Sequence, residues 1–329
     1  MAKYFITGIT GYIGNKLAHE LLSKGHTLHA IVRNPDRLKN FENHQELKVF
    51  PGHLTDTSLI EKAMMGCDFV FHLAAYATVW SKTNTEFESI NVQVPLLIAQ
   101  IATKLGLKRM VLTGTAGVYG PSTHGVVNED YQRSLPFFNE YEKSKSQGEE
   151  ILLKNKDKLL EIIIVSPTRV YGPGPLSESN AVSKLIKMYI QNKWRIIPGK
   201  GDKIGNYVFV DDVVKGHLLA MEKGVSGEKY ILGGENLSYF DFFKLLKTIS
   251  GKGEKPIEFP LAALLFLGWI QLFWAELTGK NPLFTPPWVR RYMYNWEISI
   301  SKAKKDLQYI PTDAKVSLKT TIDWINNGN

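Results

Sequence analysis

The chain of 329 residues contains 44 % hydrophobic and 22 % charged residues, the proportions of an ordinary globular protein with a substantial core. Its formal charge of +8 is scattered along the sequence, which favours a small phosphate-bearing ligand or simple solubility over a nucleic-acid surface. The single cysteine, Cys67, excludes an intramolecular disulfide and is typical of a reducing compartment. Because the first predicted strand begins by Lys3 and leaves no room for a signal peptide, we expect a cytoplasmic protein.

A glycine turn follows the first apolar run of the chain, residues 4–6. Glycine permits backbone angles and close approaches that a Cβ blocks, and the free N–H groups at a helix start attract anions. The stretch therefore predicts a strand, a tight turn and a helix whose N-terminus binds a pyrophosphate. The spacing G-x-x-G-x-x-G is a variant of the usual dinucleotide motif, and a turn without a ligand is the alternative. The cofactor contacts predicted here are Gly8, Thr10, Gly11, Tyr12, Ile13 and Gly14.

Strand and helix patterns alternate from residue 27 onwards. Helical patterns cover residues 59–65, 86–105 and 141–153, and short apolar runs fit for strands buried on both faces lie between them. This alternation predicts right-handed βαβ units in a parallel, doubly wound sheet. In such sheets ligands bind outside the carboxyl ends of the strands. The predicted strands after the first are 28–32, 47–50, 69–72, 110–113 and 162–165.

Arg33 stands where the second predicted strand ends, about twenty residues beyond the glycine turn. NAD-binding sheets usually carry Asp or Glu at this point to hold the ribose hydroxyls, whereas an arginine accommodates a 2′-phosphate. Since no acid stands at this strand end, the sequence favours NADP(H), with NAD(H) as the alternative. Arg37 and Lys39 are auxiliary charges in this interpretation, although a solvated helix face is the preferred interpretation of those two.

Tyr141 and Lys145 are four residues apart in a helical pattern, which places them on one face of a helix. A phenol with its ordinary pKa of about 10 is a poor proton donor and acceptor at neutral pH. An adjacent ammonium favours the phenolate and lowers that pKa, so the pair can serve as general acid and base. The spacing alone is weak evidence. It is strengthened by the stretch 113–120, Thr-Gly-Thr-Ala-Gly-Val-Tyr-Gly, which places hydroxyl residues at the end of the fifth predicted strand.

Together these pieces resemble the extended short-chain dehydrogenase/reductases over nearly the whole length of the chain. The motifs that carry the resemblance are Thr-Gly-Ile-Thr-Gly-Tyr-Ile-Gly (7–14), His-Leu-Ala-Ala (72–75), the stretch 113–120, Tyr141 with Lys145, Pro-Thr-Arg-Val-Tyr-Gly-Pro (167–173) and Tyr-Val-Phe-Val-Asp-Asp-Val (207–213). The resemblance implies an α/β fold, a doubly wound parallel sheet of the Rossmann type with a smaller C-terminal substrate-binding lobe. It also implies an NAD(P)-dependent reductase or dehydrogenase without a metal.

The roles of the site residues are implied by the same resemblance. Tyr141 is the expected catalytic acid and base, Lys145 holds the nicotinamide ribose, and Thr115 donates a hydrogen bond to the substrate oxygen. Thr113 is expected on the cofactor side or in a structural role. Where the family often has Asp-Leu at the adenine, this chain has His53 and Leu54, so that contact is altered. Further cofactor contacts are expected from Leu73, Ala74 and Ala75 along its middle and from Pro167 and Thr168 beside the nicotinamide.

The substrate class is indicated by two absences. Sugar-nucleotide enzymes of the resembling family usually carry an arginine just before the Tyr-Val motif, where this chain has Ile-Gly-Asn at 204–206. The dehydratases of the family carry an acid beside the catalytic threonine, where this chain has Gly114. We therefore expect an NADP(H)-dependent oxidoreductase that interconverts a carbonyl and an alcohol on a largely apolar small molecule, similar to dihydroflavonol 4-reductases and 3β-hydroxysteroid dehydrogenases. The alternatives are an NAD-dependent sugar-nucleotide epimerase and, less favoured, a non-catalytic NADP-binding sensor.

The segment 260–274 is almost wholly apolar but shorter than the roughly twenty residues that span a bilayer. A buried helix of the substrate lobe is the preferred interpretation, and an apolar wall of the substrate pocket is compatible with it. A membrane-associated helix is the third interpretation, because the nearby residues suit an interface, namely Trp269, Trp274, Trp288, Arg290 and Arg291.

The resemblance also predicts the organisation of the chain into two lobes and a homodimer. We expect residues 1–170 in the NADP-binding domain, to which 206–222 return, and residues 171–205 and 223–329 in the substrate-binding lobe. The partners expected are a small-molecule substrate and a second copy of the chain, with no nucleic acid. The dimer contact would be a four-helix contact that includes 86–105 and 141–153.

Overall fold

The computed structural model describes residues 1–41, 44–78, 80–154, 160–176 and 178–328, and its main element is a sheet of seven strands. In chain order the strands are β1 (Lys3–Thr7), β2 (Thr27–Val32), β3 (Leu47–Pro51), β4 (Phe69–His72), β5 (Arg109–Thr113), β6 (Glu161–Pro167), β7 (Arg169–Tyr171), β8 (Ile196–Pro198), β9 (Ile204–Phe209), β10 (Lys229–Leu232), β11 (Glu235–Ser238) and β12 (Ile257–Phe259). The large sheet has the order β3–β2–β1–β4–β5–β6–β10, with parallel pairing throughout.

Helices cover both faces of the large sheet. Leu17 and Leu21 belong to the apolar core on one face, whereas Ile60 and Ile98 belong to the core on the other. The helices in chain order are α1 (Tyr12–Ser23), α2 (Thr57–Met64), α3 (Thr85–Glu88), α4 (Val94–Lys104), α5 (Glu140–Lys154), α6 (Ala181–Ile190), α7 (Val210–Lys223), α8 (Tyr239–Ser250), α9 (Leu261–Thr278), α10 (Pro286–Arg290), α11 (Ser301–Leu307) and α12 (Ala314–Asn326). The two cores explain why the strands are apolar on both sides.

The predicted fold class is confirmed, because the sheet is parallel, doubly wound and of the Rossmann type. Each predicted strand is present with bounds within two residues of those expected. The chain builds β1, β2 and β3 in one direction and then returns to place β4 on the other side of β1. Ligands of such sheets bind at this reversal, in the crevice beyond the carboxyl ends of β1 and β4.

The predicted helix 86–105 is divided into α3, a π turn (Ser89–Gln93) and α4. Asn91 in this turn exchanges hydrogen bonds with the backbone of Tyr76, and its Nδ2 also donates to Ser144 Oγ at 3.0 Å. Gly148 of α5 packs against the carbonyl of Asn91 so closely that a Cβ would not fit. The π turn therefore locks α5 onto the sheet, and α5 carries Tyr141 and Lys145.

The later part of the chain contributes to both the large sheet and the smaller ones. β9 pairs with β7 and β11 in a three-stranded sheet, and β8 pairs with β12. β10 lies in the large sheet beside β6, although its residues fall within the stretch 223–329 expected in the substrate lobe. The lobe boundaries remain a prediction.

The burial expected for the apolar segment 260–274 is wrong. Helix α9 extends to Thr278, and only Leu264, Gly268 and Ala275 are buried. The large apolar side chains on its opposite side are exposed, with Phe266 66 % and Leu277 64 % accessible. In the described chain it is the one helix long and apolar enough to cross a membrane. Sequence composition alone could not distinguish this surface from a core.

Candidate active site

A cavity of about 600 Å³ lies beyond the carboxyl ends of the central strands. Every residue predicted at the site lines this cavity except Lys145, which lies buried behind it. The predicted residues that line the cavity are Gly8, Thr10, Gly11, Tyr12, Ile13, Gly14, Arg33, His53, Leu54, Leu73, Ala74, Ala75, Thr113, Thr115, Tyr141, Pro167 and Thr168. Their roles remain predictions, but their proximity makes one site of segments that are far apart in the sequence.

The glycine turn brings β1, α1 and the segment after β4 into close contact. Gly8 has φ +76°, and a Cβ there would lie 2.7 Å from the backbone nitrogen of Ala74. A Cβ on Gly14 would collide with the carbonyl of Gly8, so the start of α1 packs directly on the turn. Thr7 Oγ supports the same contact, because it accepts from Ala74 N at 3.1 Å. Only glycine at positions 8 and 14 permits this packing.

The N-terminus of α1 is open towards the cavity. Gly11 is its N-cap and supplies no side chain to the free N–H groups, and no acidic residue stands in the first turn. Such a terminus binds an anion through its N–H groups and the helix dipole. Arg33 and Arg37 also line the cavity, whereas Lys39 does not, and the described lining contains no Asp or Glu. The charge distribution suits a ligand with several phosphates.

Hydrogen bonds within the protein hold two residues of the cavity wall, Tyr12 and Thr168. The Tyr12 hydroxyl donates to the carbonyl of Gly172 at 2.9 Å, which ties the glycine turn to the segment after β7. Thr168 donates from Oγ to Asn206 Oδ1 at 2.8 Å. His53 and Leu54 line the cavity directly after β3. Tyr12 and Thr168 thus use their hydroxyls within the protein and present their remaining surface to the ligand.

The two threonines after β5 have different environments. The Thr113 hydroxyl pairs with His217 Nε2 at 2.8 Å, which is a structural contact. Thr115 Oγ accepts a hydrogen bond from Gly117 N at 3.2 Å and caps a short 3₁₀ helix. A hydroxyl that accepts in this way still has its own proton to donate. Thr115 can therefore donate to an oxygen in the cavity.

Lys145 is held by the end of β5, and Tyr141 lies one turn earlier on α5. Lys145 Nζ donates to the carbonyl oxygen of Thr113 at 2.8 Å. Burial lowers the pKa of Lys145 to about 8, and the Glu149 carboxylate partly opposes this lowering. Burial raises the pKa of Tyr141 to about 12; Glu149 adds to the rise, and the Arg291 guanidinium opposes it. The lowering expected for this phenol is not found, because burial and the carboxylates of Glu149 and Glu142 outweigh the Arg291 guanidinium.

The part of the site that comes from residues 286–293 was not predicted from the sequence. Trp288 of α10 and Arg291 line the cavity, and Arg291 is close enough to Tyr141 to influence its pKa. Arg291 Nη1 donates to Glu142 Oε1 at 2.5 Å, and Arg133 Nη2 donates to Glu142 Oε2 at 3.0 Å. Glu142 is fully buried and directly follows Tyr141. The contact joins positions 149 residues apart, so no local pattern indicated it.

The comparisons with known proteins identify the family. The model of the NAD dependent epimerase/dehydratase family matches residues 4–233. The chain belongs to this family. The predicted resemblance to extended short-chain dehydrogenase/reductases is therefore confirmed, and the chain is an enzyme of that type.

Relatives with different activities match nearly the whole chain. A candidate dihydroflavonol 4-reductase of Synechocystis sp. is 28 % identical over 98 % of this chain and 94 % of its own. The decarboxylating sterol-4-alpha-carboxylate 3-dehydrogenase of Candida albicans is 26 % identical over 98 % of this chain and 97 % of its own. The crystal structure of a UDP-glucuronic acid 4-epimerase variant from Bacillus cereus with NAD is 25 % identical, covers 99 % of both chains and has a TM-score of 0.78.

The cavity fits the nicotinamide dinucleotide that the family implies. The glycine turn and the open N-terminus of α1 suit its pyrophosphate, and Arg33 and Arg37 lie where the second strand ends. Thr115 and Tyr141 also line the cavity, and Lys145 behind it is bonded to the end of β5. The residues that line this cavity therefore fit an NAD(P) cofactor along the carboxyl edge of the sheet.

Proposed function

We propose that the chain is an NADP(H)-dependent oxidoreductase that interconverts a carbonyl and an alcohol on a largely apolar small molecule. The observation that carries the proposal is the joint position of Thr115 and Tyr141 in one cavity, with Lys145 behind them. The Synechocystis and Candida relatives, named as a reductase and a dehydrogenase, support an oxidoreductase. When bound, the dinucleotide would supply the hydride or accept it.

The residues of the chain supply the proton and orient the substrate. Thr115 donates a hydrogen bond to the substrate oxygen, and Tyr141 gives or takes the proton at that same oxygen. Two donors aimed at one oxygen stabilise the negative charge that develops there. Lys145 would hold the cofactor ribose from behind the cavity, and its ammonium is bonded to the end of β5.

An apolar substrate is favoured by the residues at the catalytic end of the cavity. Ala77, Ile90, Val170 and Trp288 are among the residues that line the cavity, and we place them at that end. At the place where sugar-nucleotide enzymes have an arginine, Asn206 is buried and bonded to Thr168 and Asn236. A diphosphate clamp at this position is therefore lacking, which favours the oxidoreductase over the epimerase.

The preference for NADP(H) rests on Arg33. It is exposed at the end of β2 and lines the cavity, where it can bond a 2′-phosphate. We expect Arg33→Ala to weaken NADPH binding about tenfold to a hundredfold, as the loss of one charge-assisted hydrogen bond does, with NADH affinity nearly unchanged. Lys39→Ala is the matched control, because it removes the same charge outside the cavity. Equal losses for NADPH and NADH in Arg33→Ala would contradict the assignment.

The reaction is tested by following NADPH oxidation with a panel of hydrophobic aldehydes, ketones and flavanonols. Tyr141→Phe should reduce turnover by at least about 10²-fold while the Kd for NADPH stays within about twofold. Tyr294→Phe removes a phenol outside the cavity and serves as the control. An active Tyr141→Phe enzyme refutes the role of Tyr141. Bound NAD⁺ released on denaturation, together with turnover of a UDP-sugar, would support the epimerase instead.

We also propose that the protein binds a lipid surface, because one face of α9 is apolar and exposed. Phe266, Ile270 and Phe273 lie along the middle of this face, and Trp269 and Trp274 lie on its two edges. At about 100° per residue the face between the two tryptophans is about 140° wide, wider than the seam that a partner helix covers. Tryptophan at the margin of an apolar face is typical of the membrane interface.

The opposite side of α9 remains attached to the protein. Gly268 allows Pro286 to approach, since a Cβ there would lie 3.1 Å from Pro286 N. The same short helix α10 carries Trp288 into the active-site cavity. A helix held in this way lies flat on a bilayer rather than crossing it. The arrangement brings the substrate end of the cavity close to the membrane, where apolar molecules concentrate.

Flotation with vesicles of phosphatidylcholine and phosphatidylglycerol tests this partner. The wild-type chain should float, and Phe266→Ser combined with Phe273→Ser should remain at the bottom with NADPH affinity unchanged. Ile310→Ser with Val316→Ser is the control, because both side chains are exposed away from α9. If the α9 variant loses self-association instead of vesicle binding, a second copy covers this face and the lipid proposal is wrong.

We further propose a cytoplasmic homodimer, as the resemblance implies. The face offered for the dimer consists of α4 and α5, which pack side by side on the large sheet. Sedimentation equilibrium should give twice the monomer mass in solutions that contain no lipid. A monomer at micromolar concentration would contradict the dimer, and recovery in a secreted fraction would contradict the location.

A further inference from the structure

Glu149 continues the row of catalytic residues on α5. Tyr141, Lys145 and Glu149 follow one another at intervals of four residues, so all three lie on the side of the helix that faces the sheet. Glu149 is fully buried, and Lys145 is 2 % exposed. A buried carboxylate on this row has no function in the reaction described above. Burying it is costly unless its charge is compensated.

The two oxygens of Glu149 have different surroundings. Oε2 accepts from Lys229 Nζ of β10 at 2.7 Å, and Lys229 remains 27 % exposed at the edge of the sheet. Oε1 forms no hydrogen bond, and two buried hydroxyls, Ser166 Oγ and Tyr119 Oη, lie close by. Unsatisfied buried polar atoms are rare and call for an explanation.

Gly114 shows where the free oxygen points. A Cβ on Gly114 would lie 2.5 Å from Glu149 Oε1 and 3.1 Å from Ser166 Oγ. The Lys145 ammonium is bonded to the carbonyl of Thr113, one residue earlier. The carboxylate and the ammonium are therefore held against neighbouring peptide units of the turn that ends in Thr115.

We propose that Glu149 is a positioning residue of the active site, which acts through Lys145 by supplying the counter-charge that keeps its ammonium protonated and fixed at the end of β5. Lys229 compensates one oxygen of the carboxylate from the solvent side. The other oxygen is left free of direct partners and directs its negative potential at the turn 113–115. Without this charge a lysine buried behind the cavity would lose its proton.

The charged and titratable groups around this pair are few. Lys145 is faced by Tyr141 and Glu149 from its own helix and by His72 of β4, which is buried and neutral because its pKa is lowered to about 3. Glu149 is faced by Lys229 from β10 and by Tyr119, whose pKa burial and Glu149 raise. Glu149 is the anion whose influence on the pKa of Lys145 opposes burial. Its removal should therefore lower that pKa further.

The test is the titration of Lys145 in Glu149→Gln. With lysine labelled by ¹³C at Cε, and Lys145→Met to assign the signal, NMR should show the midpoint of Lys145 falling by about one unit or more from its native value. The pH profile of kcat should shift in the same direction, while the KM for NADPH measured below that midpoint stays within about twofold. Glu149→Asp, which keeps the charge, should restore most of both. Because the activity readout rests on the proposed function, the NMR titration tests Glu149 even if the wild-type chain reduces no substrate.

Glu150→Gln provides the matched control. Glu150 is the next residue, is exposed and pairs with Lys154, so its removal changes the net charge equally without touching the buried pair. Ser166→Ala keeps every charge and removes the hydroxyl dipole beside Oε1. Because less polar surroundings make the carboxylate less stable as an anion, we expect a smaller downward shift of the Lys145 midpoint. It supplies the test if Glu149→Gln does not fold. A Lys145 midpoint in the folded variants equal to that of the wild type overturns the proposal.

Discussion

The ion cluster at Glu142 offers the sharpest test of how the active site is held together. Its carboxylate is fully buried and accepts from Arg133, from Arg291 and from the backbone nitrogen of Phe138, all within 3.2 Å. The two arginines come from different parts of the chain, and Arg291 reaches the cavity. Glu142→Gln removes the negative charge but keeps the size of the side chain. It leaves two arginines close together without their shared partner.

Breaking a buried ion pair by neutralising one member costs about 3–5 kcal/mol. The amide oxygen of glutamine still accepts one hydrogen bond, and Arg291 is 24 % exposed, so we expect the lower end, about 3 kcal/mol. Arg291→Met should cost less, about 1–2 kcal/mol, because Glu142 keeps Arg133. Urea unfolding followed by circular dichroism measures both values, with a slope that should not change.

Glu140→Gln on the same helix is the control. Glu140 is 42 % exposed and pairs with Lys143 at 3.6 Å, so its neutralisation should change the unfolding free energy by less than about 0.5 kcal/mol. The role of the buried Glu142 carboxylate in stability is refuted if Glu142→Gln destabilises the protein no more than Glu140→Gln. It is also refuted if Arg291→Met costs more than Glu142→Gln, because Arg291 would then be stabilised mainly by something other than this carboxylate.

Three further predictions concern the cavity and the buried histidines. Gly8→Ala should lower the free energy of unfolding in urea by at least about 2 kcal/mol and weaken NADPH binding, because the new Cβ meets Ala74 N. Gly106→Ala is the control: Gly106 also has a positive φ, +73°, but nothing lies within 4 Å, so the cost should be only about 1 kcal/mol, and equal costs would refute the contact at Gly8. Trp288→Ala should raise KM for apolar substrates about tenfold with NADPH affinity unchanged, and a change in NADPH affinity alone would refute its place at the substrate end. Burial lowers the pKa of His72 to about 3 and of His217 to about 4. Their contribution to stability is complete above about pH 6.5 and is lost progressively between about pH 6.5 and those values, because the unfolded chain binds the protons first. Melts between about pH 7 and 4 should show the decline, and a flat profile would contradict it.

The parts of the fold that could be predicted depend on short-range patterns. The glycine turn, the apolar strands and the pair Tyr141 and Lys145 are each encoded within a few residues, and the parallel sheet follows from their alternation. The structure brings these separate motifs to one edge because parallel strands all end there.

Other features depend on contacts that no local pattern contains. The apolar composition of α9 is the same for a core and for an exposed face, and only its packing on α10 decides between them. Arg291 reaches Glu142 across most of the chain. The pKa of Tyr141 depends on how deeply the folded protein buries the phenol, and the neighbouring lysine in the sequence indicated the opposite direction.

The position of β10 has a consequence for synthesis on the ribosome. β6 lies at the edge of the sheet until residues 229–232 emerge and pair with it. An unpaired edge strand exposes backbone groups to other chains. Nascent chains that end anywhere between β6 and β10 therefore carry an open edge next to the catalytic turn. The strand that closes this edge also delivers Lys229 to Glu149, so sheet completion and charge compensation behind Lys145 occur in one folding event.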